Sequence, residues 1–250
     1  MSKGLLYITG DDEHYREAVR SAESARRAMP DMDIAIVTDK SEPHDVFDDV
    51  IIRELEYSFV DKVDHIGESP FERTVFVDTD TFFHRRCTEL FSILEAFDLA
   101  VAHSPARETR AVDVPAPFTE YNTGVIAFQQ SAAVLDLFAD WQDRYYQLQN
   151  ERDISGDQAS FRKAVYESDV RVCTLPPEYN CRSIFPGYLY DEATIIHGRN
   201  QDLPRVASTL NAVEGMRIHY ARDDTVSVMT NGPNIPFEYL QRVYDWDVDQ

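Results

Sequence analysis

Short apolar runs alternate with stretches of helical composition along the first part of the chain. Residues 5–9 form an apolar run, a turn follows at 10–12, and residues 13–29 have the composition of a helix that ends at Pro30. Residues 34–39 form a second apolar run. The chain therefore opens with a β-α-β unit, which predicts an α/β fold.

The same alternation continues along the later part of the chain. Strands are predicted at 50–52, 74–77, 99–102, 125–128, 170–173 and 194–197, and helices at 61–66, 88–97, 131–148 and 156–167. Residues 105–118 contain three prolines and are predicted to form an irregular loop. The aromatic stretch from 231 onward is expected to pack back on the body of the protein.

The most informative segment is 74–83, which reads T-V-F-V-D-T-D-T-F-F. Its apolar run predicts a strand covered on both faces, and open α/β sheets bind ligands where such strands end. Asp78 and Asp80 point the same way in extended backbone, so they can bind one hard cation and, through it, a diphosphate. The alternative is that the two aspartates only solvate the end of a strand, because a lone D-x-D is common by chance.

The net charge of −21 excludes one broad class of function. Affinity for nucleic-acid phosphates comes mostly from lysine and arginine, so this chain is not expected to bind nucleic acid. Its 250 residues suffice for one large α/β domain, which we favour over two small ones. Lysine is scarce, with four lysines against twenty arginines. This composition fits solubility at high ionic strength, with an ordinary acidic cytosolic protein as the alternative.

The cysteines and the apolar segments bear on the cellular setting. Cys87, Cys173 and Cys181 are odd in number and lack C-x-x-C spacing, which argues against a disulfide framework and a zinc ribbon. The first apolar run is too short for a signal peptide, and no stretch approaches the roughly 18 apolar residues of a membrane span. We expect a cytoplasmic protein without a transmembrane segment.

Four motifs occur along the chain in an order that can be compared with that of known families. They are the D-x-D strand, Asn122-Thr123-Gly124 before a strand, Gly156-Asp157-Gln158 at a helix start, and Ile195-Ile196-His197-Gly198. This order resembles the GT-A nucleotide-sugar glycosyltransferases, most nearly glycosyltransferase family 8, the glycogenin and bacterial galactosyltransferase group. The resemblance spans about residues 5–198. It implies a three-layer α/β/α GT-A fold with a mixed, mostly parallel central sheet.

The resemblance also implies how the chain is divided and what it does. One domain of residues 1–250 would contain a nucleotide-binding half (1–103), a sugar and acceptor half (104–222) and a C-terminal segment packed on the body (223–250). The implied enzyme is a metal-dependent hexosyltransferase. Its donor would be a nucleotide-diphosphate sugar, with a UDP-sugar favoured, and its acceptor an unidentified glycan, protein or lipid.

A metal site is the most specific implication of the resemblance. Asp78 and Asp80, together with His197, are implied to bind Mn²⁺ or Mg²⁺, which neutralises the leaving diphosphate. His219 lies in a similar setting and is a competing ligand. The family follows its histidine and glycine with Lys-Pro-Trp, whereas here Arg199 follows Gly198. Arg199 is therefore the candidate substitute for the phosphate-binding lysine.

Further residues match the nucleoside and sugar positions of the family. The nucleoside set is Thr9, Asp11, Tyr15 and Lys62, with Tyr15 stacking on the base, and the donor-sugar set is Asn122, Thr123 and Gly124. Asp157 is implied to hold the donor sugar, with Gln158 beside the reacting carbon. This arrangement contains no obvious general base and favours retention of configuration. Three simpler roles remain open: helix packing for Tyr15, a solvated surface position for Lys62 and an N-cap for Asp157.

Two other functions remain compatible with the sequence. A haloacid-dehalogenase-type phosphatase also has an apolar strand followed by D-x-D-x-T, with Asp78 as nucleophile and Asp80 as acid and base. Ser104, Lys163 and Asp223-Asp224 would then supply its later motifs. The β-α-β unit that precedes the D-x-D argues against this, because that motif normally opens the phosphatase core. The third function is a non-catalytic protein that binds sugar nucleotides or glycans.

The acidic composition generates a prediction about salt. With 45 acidic and 24 basic residues, self-repulsion should be strong at low salt, where the Debye length is about 30 Å, and weak at 1 M, where it is about 3 Å. We expect the melting temperature to rise with KCl into the molar range. Circular dichroism melts across a KCl series measure this, and a flat melting temperature would contradict adaptation to high salt.

Overall fold

The computed structural model describes residues 2–105, 112–152 and 156–230. The strands in these ranges are β1 (Lys3–Ile8), β2 (Asp33–Thr38), β3 (Asp49–Ile52), β4 (Arg73–Val77), β5 (Thr81–Phe83), β6 (Leu99–His103), β7 (Tyr121–Gln129), β8 (Val172–Leu175), β9 (Cys181–Arg182), β10 (Gly187–Leu189), β11 (Ile195–His197), β12 (Arg217–Arg222) and β13 (Thr225–Thr230). The helices are α1 (Asp12–Ala28), α2 (Phe59–His65), α3 (Glu89–Ile93), α4 (Ala132–Arg152), α5 (Gln158–Glu167) and α6 (Leu203–Asn211).

A seven-stranded sheet in the order β3-β2-β1-β4-β7-β6-β8 forms the centre of the fold. Strands β1 to β4 run parallel to one another, and β6 runs parallel to β8. Only β7 among these strands is antiparallel to its neighbours, β4 and β6. The predicted mixed, mostly parallel sheet is confirmed.

Alternating side chains of the central strands build two cores, one on each face of the sheet. In β1, Leu5 and Tyr7 pack with alanines of α1, whereas Leu6 and Ile8 pack with residues of α2, α4 and α5. This division follows from the two-residue period of a strand. Because both faces are covered, the strands are apolar throughout, as the sequence predicted. The result is the expected three-layer α/β/α arrangement.

Two small sheets lie beside the central one. Strands β5, β11 and β9 form the first, and β10, β12 and β13 form the second. Strand β5 begins directly after Asp80 and pairs antiparallel with β11, so that Thr81 lies opposite His197. The amide of Gly198 donates to the carbonyl of Asp80 at 3.0 Å. The D-x-D segment is therefore the link between the central sheet and the strand that carries His197.

Some predicted elements differ from the structure. Helix α3 is shorter than the predicted 88–97, and β7 begins at Tyr121, so the Asn-Thr-Gly segment lies inside the strand. Strands β5, β9 and β10 were not predicted, because strands of two or three residues are too short to show a period. The longer β12, β13 and α6 were not predicted either. The tail from 231 and part of the predicted loop, 106–111, lie outside the described residues. No described helix has the length and apolar character that crossing a bilayer requires.

Trp141 connects the core to the start of helix α5. Its side chain is fully buried, and its ring packs on that of Phe161 with centroids 4.8 Å apart. The indole Nε1 donates to the carbonyl of Asp157 at 3.0 Å and to the Ser160 hydroxyl at 3.1 Å. This contact fixes the position of Asp157 in the fold.

Replacing Trp141 tests this anchor. We expect Trp141→Ala to lower the free energy of unfolding by about 3–5 kcal/mol, because it leaves a large cavity. Trp141→Phe keeps most of the apolar volume and loses only the indole hydrogen bonds, so it should cost about 1–2 kcal/mol. Urea unfolding followed by circular dichroism measures both. Equal losses in the two variants would contradict the role assigned to ring volume.

Candidate active site

Asp78, Asp80 and His197 come together at the end of strand β4. His197 Nε2 lies 3.6 Å from a carboxylate oxygen of Asp78 and 3.4 Å from one of Asp80. Each side chain offers one ligand atom, and these three atoms lie within 4.8 Å of one another. The predicted metal set is thus brought together. Two carboxylates and an imidazole are suitable donors for a divalent cation, so the residues present fit such an ion.

Lys62 is buried between two carboxylates rather than solvated. Its Nζ lies 3.1 Å from Asp78 and 2.9 Å from Asp157, and the Thr123 hydroxyl lies 3.3 Å away. Burial alone would lower the pKa of Lys62, but the charges of Asp157 and Asp78 outweigh it and raise that pKa above its ordinary value. Lys62 is therefore a fixed positive charge behind the D-x-D segment.

Asp157 stands at the N-cap position directly before helix α5, but its side chain does not cap the helix. Its side chain makes no hydrogen bond to an amide of the helix. Instead it accepts from the Thr123 hydroxyl at 2.7 Å and pairs with Lys62. The alternative of an N-cap for Asp157 is therefore wrong, because the buried ammonium of Lys62 is a stronger partner for its carboxylate than a backbone amide.

A chain of side-chain amides orients His197. The imidazole Nδ1 lies 2.8 Å from Oδ1 of Asn180, whose Nδ2 donates to Oδ1 of Asn122 at 2.8 Å. Asn122 in turn donates to Oε1 of Gln158 at 2.9 Å. With Nδ1 directed to Asn180, Nε2 is the ring nitrogen that faces the two aspartates. Partners of this kind fix the tautomer of a metal-binding histidine.

Gly124 leaves room for the His197 ring. A Cβ at position 124 would lie 2.0 Å from Cε1 of His197 and 2.8 Å from a carboxylate oxygen of Asp78. The backbone amide of Asp78 donates to the Gly124 carbonyl at 2.8 Å. The third residue of the Asn-Thr-Gly segment therefore contacts Asp78 and His197 directly, and only a residue without a Cβ fits at this position.

The charges around Asp80 favour its ionised form. Burial would raise the pKa of Asp80, but His197 and the guanidinium of Arg199 hold it well below its usual range. Arg199 lies 3.8 Å from Asp80 and 3.3 Å from Glu17, and it also contacts His14. The predicted substitute cation is thus beside the D-x-D segment.

A cavity of about 230 Å³ opens beside Asp78. It is lined by Ile8, Thr9, Asp11, His14, Tyr57, Ser58, Phe59, Asp61, Lys62, Phe76, Asp78, Thr79 and Arg199. Of the predicted nucleoside set, Thr9, Asp11 and Lys62 line it. Tyr15 does not: its ring packs on Phe47, and its hydroxyl accepts from the amide of His44 at 2.7 Å. This part of α1 faces the core, so the alternative of helix packing describes Tyr15.

Comparisons with known proteins find similar folds but no similar sequences. No protein-family model matches the chain, and no curated protein matches its sequence. Among solved structures, an active-site mutant of LgtC matches with a TM-score of 0.52 at 12% identity, over 71% of this chain and 74% of that one. The glycosyltransferase GlyE of Streptococcus pneumoniae TIGR4 matches with a TM-score of 0.52 at 16% identity. That match covers 72% of this chain and 47% of GlyE, so the chain spans about half the length of GlyE.

The chain has the GT-A fold. In this GT-A frame the Asp-Asp-His set lies where the central sheet meets the first small sheet. The residues of the phosphatase alternative are not gathered there: Lys163 pairs with Glu167, and Asp223-Asp224 form the turn between β12 and β13. Neither they nor Ser104 line the cavity beside Asp78.

The second histidine is not part of this site. His219 is buried on β12, where its Nε2 lies 3.7 Å from the thiol of Cys181. Burial, with the nearby charge of Arg217, lowers the pKa of His219 from 6.5 to about 4. His197 is the histidine that the structure brings to the aspartates.

Four residues beside the site were missed from the sequence. Asn180 and Arg182 contact His197, and Tyr57 and His14 line the cavity. Asn180 directly precedes the two-residue strand β9 and Arg182 ends it, but only the pairing of β9 with β11 reveals their partner. Tyr57 has a positive φ of 59°, which the sequence does not indicate.

The buried His219 generates a prediction about pH. Its folded pKa lies below its unfolded one, so its contribution to stability is present above pH 6.5 and is lost as the pH falls toward 4. Between pH 7 and pH 5 this loss should be about 2 kcal/mol. We expect His219→Gln to lose correspondingly less stability than the wild type over this interval. Urea unfolding at pH 7, 6 and 5 measures it, and parallel profiles would contradict it.

Proposed function

We propose that the chain is a metal-dependent glycosyltransferase of the family 8 type, transferring a hexose from a nucleotide-diphosphate sugar to a glycan, protein or lipid acceptor. The observation that carries this is the Asp78–Asp80–His197 set, whose Asp78 lines the cavity and pairs with the buried Lys62. A divalent ion there would neutralise the diphosphate as it leaves. The imidazole among the ligands favours Mn²⁺ over Mg²⁺, which prefers oxygen.

The cavity is suited to a nucleoside. Tyr57 and Phe59 line it with about half of each residue exposed, and the ammonium-bearing Lys62 lines it as well. Tyr57 holds a left-handed backbone conformation that costs a non-glycine residue energy, and its hydroxyl donates to Asp39. We therefore assign base stacking to Tyr57, in place of Tyr15, with a UDP-sugar as the favoured donor.

The donor sugar is assigned to the residues around Gly124, which lies beside Asp78. Asn122, Thr123 and Gly124 are on one strand, and Asp157 and Gln158 are at the start of α5. The charge of Asp157 is compensated by Lys62, and an amide such as Gln158 is not a base at neutral pH. Neither side chain is suited to deprotonate an acceptor hydroxyl, which supports retention of configuration.

Two substitutions test the metal assignment. We expect Asp78→Asn and Asp80→Asn each to reduce Mn²⁺-dependent UDP affinity by about 100-fold or more, because each removes an anionic ligand. Calorimetry of UDP binding with and without Mn²⁺ in molar KCl measures this. Asp140→Asn, at a surface pair with Arg144, is the matched control. Unchanged affinity in both site variants, with the fold intact, would contradict the assignment.

Turnover separates the proposed enzyme from the two other functions. Thermal shifts with UDP-, GDP- and TDP-sugars identify the donor, since a ligand that binds only the native state raises its stability. Release of the free nucleotide from that donor then indicates a transferase, and binding without release indicates a non-catalytic protein. Hydrolysis of p-nitrophenyl phosphate would favour the phosphatase instead.

A further inference from the structure

The backbone of Tyr57 has a conformation that is unusual for its residue type. Its φ of 59° lies in the left-handed region, which costs energy for a residue with a side chain. The residue is nonetheless 55% exposed and lines the cavity beside Asp78. A strained conformation persists only where surrounding contacts determine it, so those contacts indicate its use.

Asp61 holds the backbone on both sides of Tyr57. Its Oδ1 accepts from the amide of Glu56 at 2.7 Å, and its Oδ2 accepts from the amide of Ser58 at 3.2 Å. The second contact belongs to the capping box that begins α2. Only 5% of Asp61 is exposed, so its carboxylate depends on these amides. One side chain therefore fixes both the turn at Tyr57 and the start of α2.

Asp39 holds the other end of the Tyr57 side chain. The phenol hydroxyl donates to Oδ2 of Asp39 at 2.5 Å, and this hydrogen bond raises the pKa of Tyr57 above its ordinary value. The second carboxylate oxygen, Oδ1, is buried and accepts no hydrogen bond within the described residues. A buried carboxylate oxygen without a partner is costly, which argues that this arrangement has a use beyond stability.

Gly10 leaves room for this pair. A Cβ at position 10 would lie 2.7 Å from Oδ1 of Asp39 and 2.7 Å from Cε1 of Tyr57. The two neighbours of Gly10, Thr9 and Asp11, line the same cavity as Tyr57. The turn after β1 therefore meets the tyrosine ring at the cavity, and a side chain at position 10 would displace the ring.

Helix α2 connects the tyrosine to the candidate metal site. Lys62 follows Asp61 on this helix and pairs with Asp78 at 3.1 Å. A shift of the start of α2 would therefore move both the tyrosine ring and the ammonium. This arrangement suits a ligand with a flat ring at one end and a diphosphate at the other, because an aromatic side chain offers a stacking surface for a base.

We propose that Asp39 and Asp61 are positioning residues of the nucleobase site: Asp61 fixes the backbone of Tyr57, and Asp39 fixes the orientation of its ring as one wall for a stacked base. The identity of the ligand rests on the proposed function, whereas the positioning of Tyr57 rests on the contacts alone. Neither carboxylate is assigned a contact with the diphosphate. Loss of this positioning should therefore weaken binding of a nucleotide but not of inorganic pyrophosphate, which has no base.

Single and double substitutions test the contact between Asp39 and Tyr57. Asp39→Ala and Tyr57→Phe should each weaken UDP binding in the presence of Mn²⁺ by about fivefold. The double variant should lose no more than the larger single effect, because both changes remove the same hydrogen bond. Asp39→Asn keeps an acceptor oxygen and should bind UDP nearly as the wild type does. Pyrophosphate affinity should be unchanged throughout, and calorimetry in molar KCl measures both ligands.

Tyr146→Phe is the matched control, because it removes a hydrogen bond of 2.8 Å to the carboxylate of Asp64 at two residues outside the described lining of the cavity. It should change neither affinity. Unchanged UDP affinity in both Asp39→Ala and Tyr57→Phe overturns the proposal, and so does an equal loss for UDP and pyrophosphate. A wild type that binds pyrophosphate with Mn²⁺ but does not bind UDP also overturns it.

Stability measures the positioning of Tyr57 without any ligand. Tyr57→Gly should unfold at a higher urea concentration than Tyr57→Ala, since glycine adopts a φ of 59° freely and alanine does not. This advantage should shrink in an Asp61→Asn background, where one carboxylate acceptor is lost. An advantage of alanine, or an equal advantage of glycine in both backgrounds, overturns the role of Asp61. If the wild type binds neither UDP nor pyrophosphate while the expected urea midpoints are found, the proposed function fails and the positioning of Tyr57 stands.

Discussion

A buried ammonium held by two carboxylates is the interaction on which the site depends. Lys62 comes from α2, Asp78 from the end of β4, and Asp157 from the start of α5. An unpaired charge in such a position would be costly, and the loss of one partner leaves another charge unpaired. The three elements are therefore fixed relative to one another. The ion pairs also direct Asp157 toward Thr123 and away from the helix amides.

The second constraint is the link between the central sheet and the first small sheet. Because β5 follows Asp80 at once and pairs with β11, the backbone alone brings His197 beside the aspartates. The amides of Asn122 and Asn180 then select its tautomer. The position comes from strand pairing and the ring orientation from hydrogen bonds, so the site is held by two independent sets of contacts.

Strand periodicity was enough to predict the central sheet, because strands buried on both faces are apolar along their whole length. It also led to Asp78 and Asp80 at the end of a strand, whereas the order of the family's motifs led to His197. It did not lead to Asn180 or Arg182, since strands of two or three residues show no period and their contacts to His197 cross fifteen or more positions. A local rule offered a cap for Asp157, and the family resemblance implied base stacking for Tyr15. Tertiary partners, Lys62 and Phe47, determine both positions instead.

Because Gly124 has no side chain, the packing of the central sheet and that of the first small sheet are coupled at this position. At this place in β7 the volume of a side chain is filled by the imidazole of a residue from another sheet. Positions 124 and 197 are therefore a size-complementary pair across two sheets. A smaller residue at 197 would open a void against the central sheet, and a larger residue at 124 would push the His197 ring away from the two aspartates. The residue type at 197 and the core packing at this point cannot be varied independently.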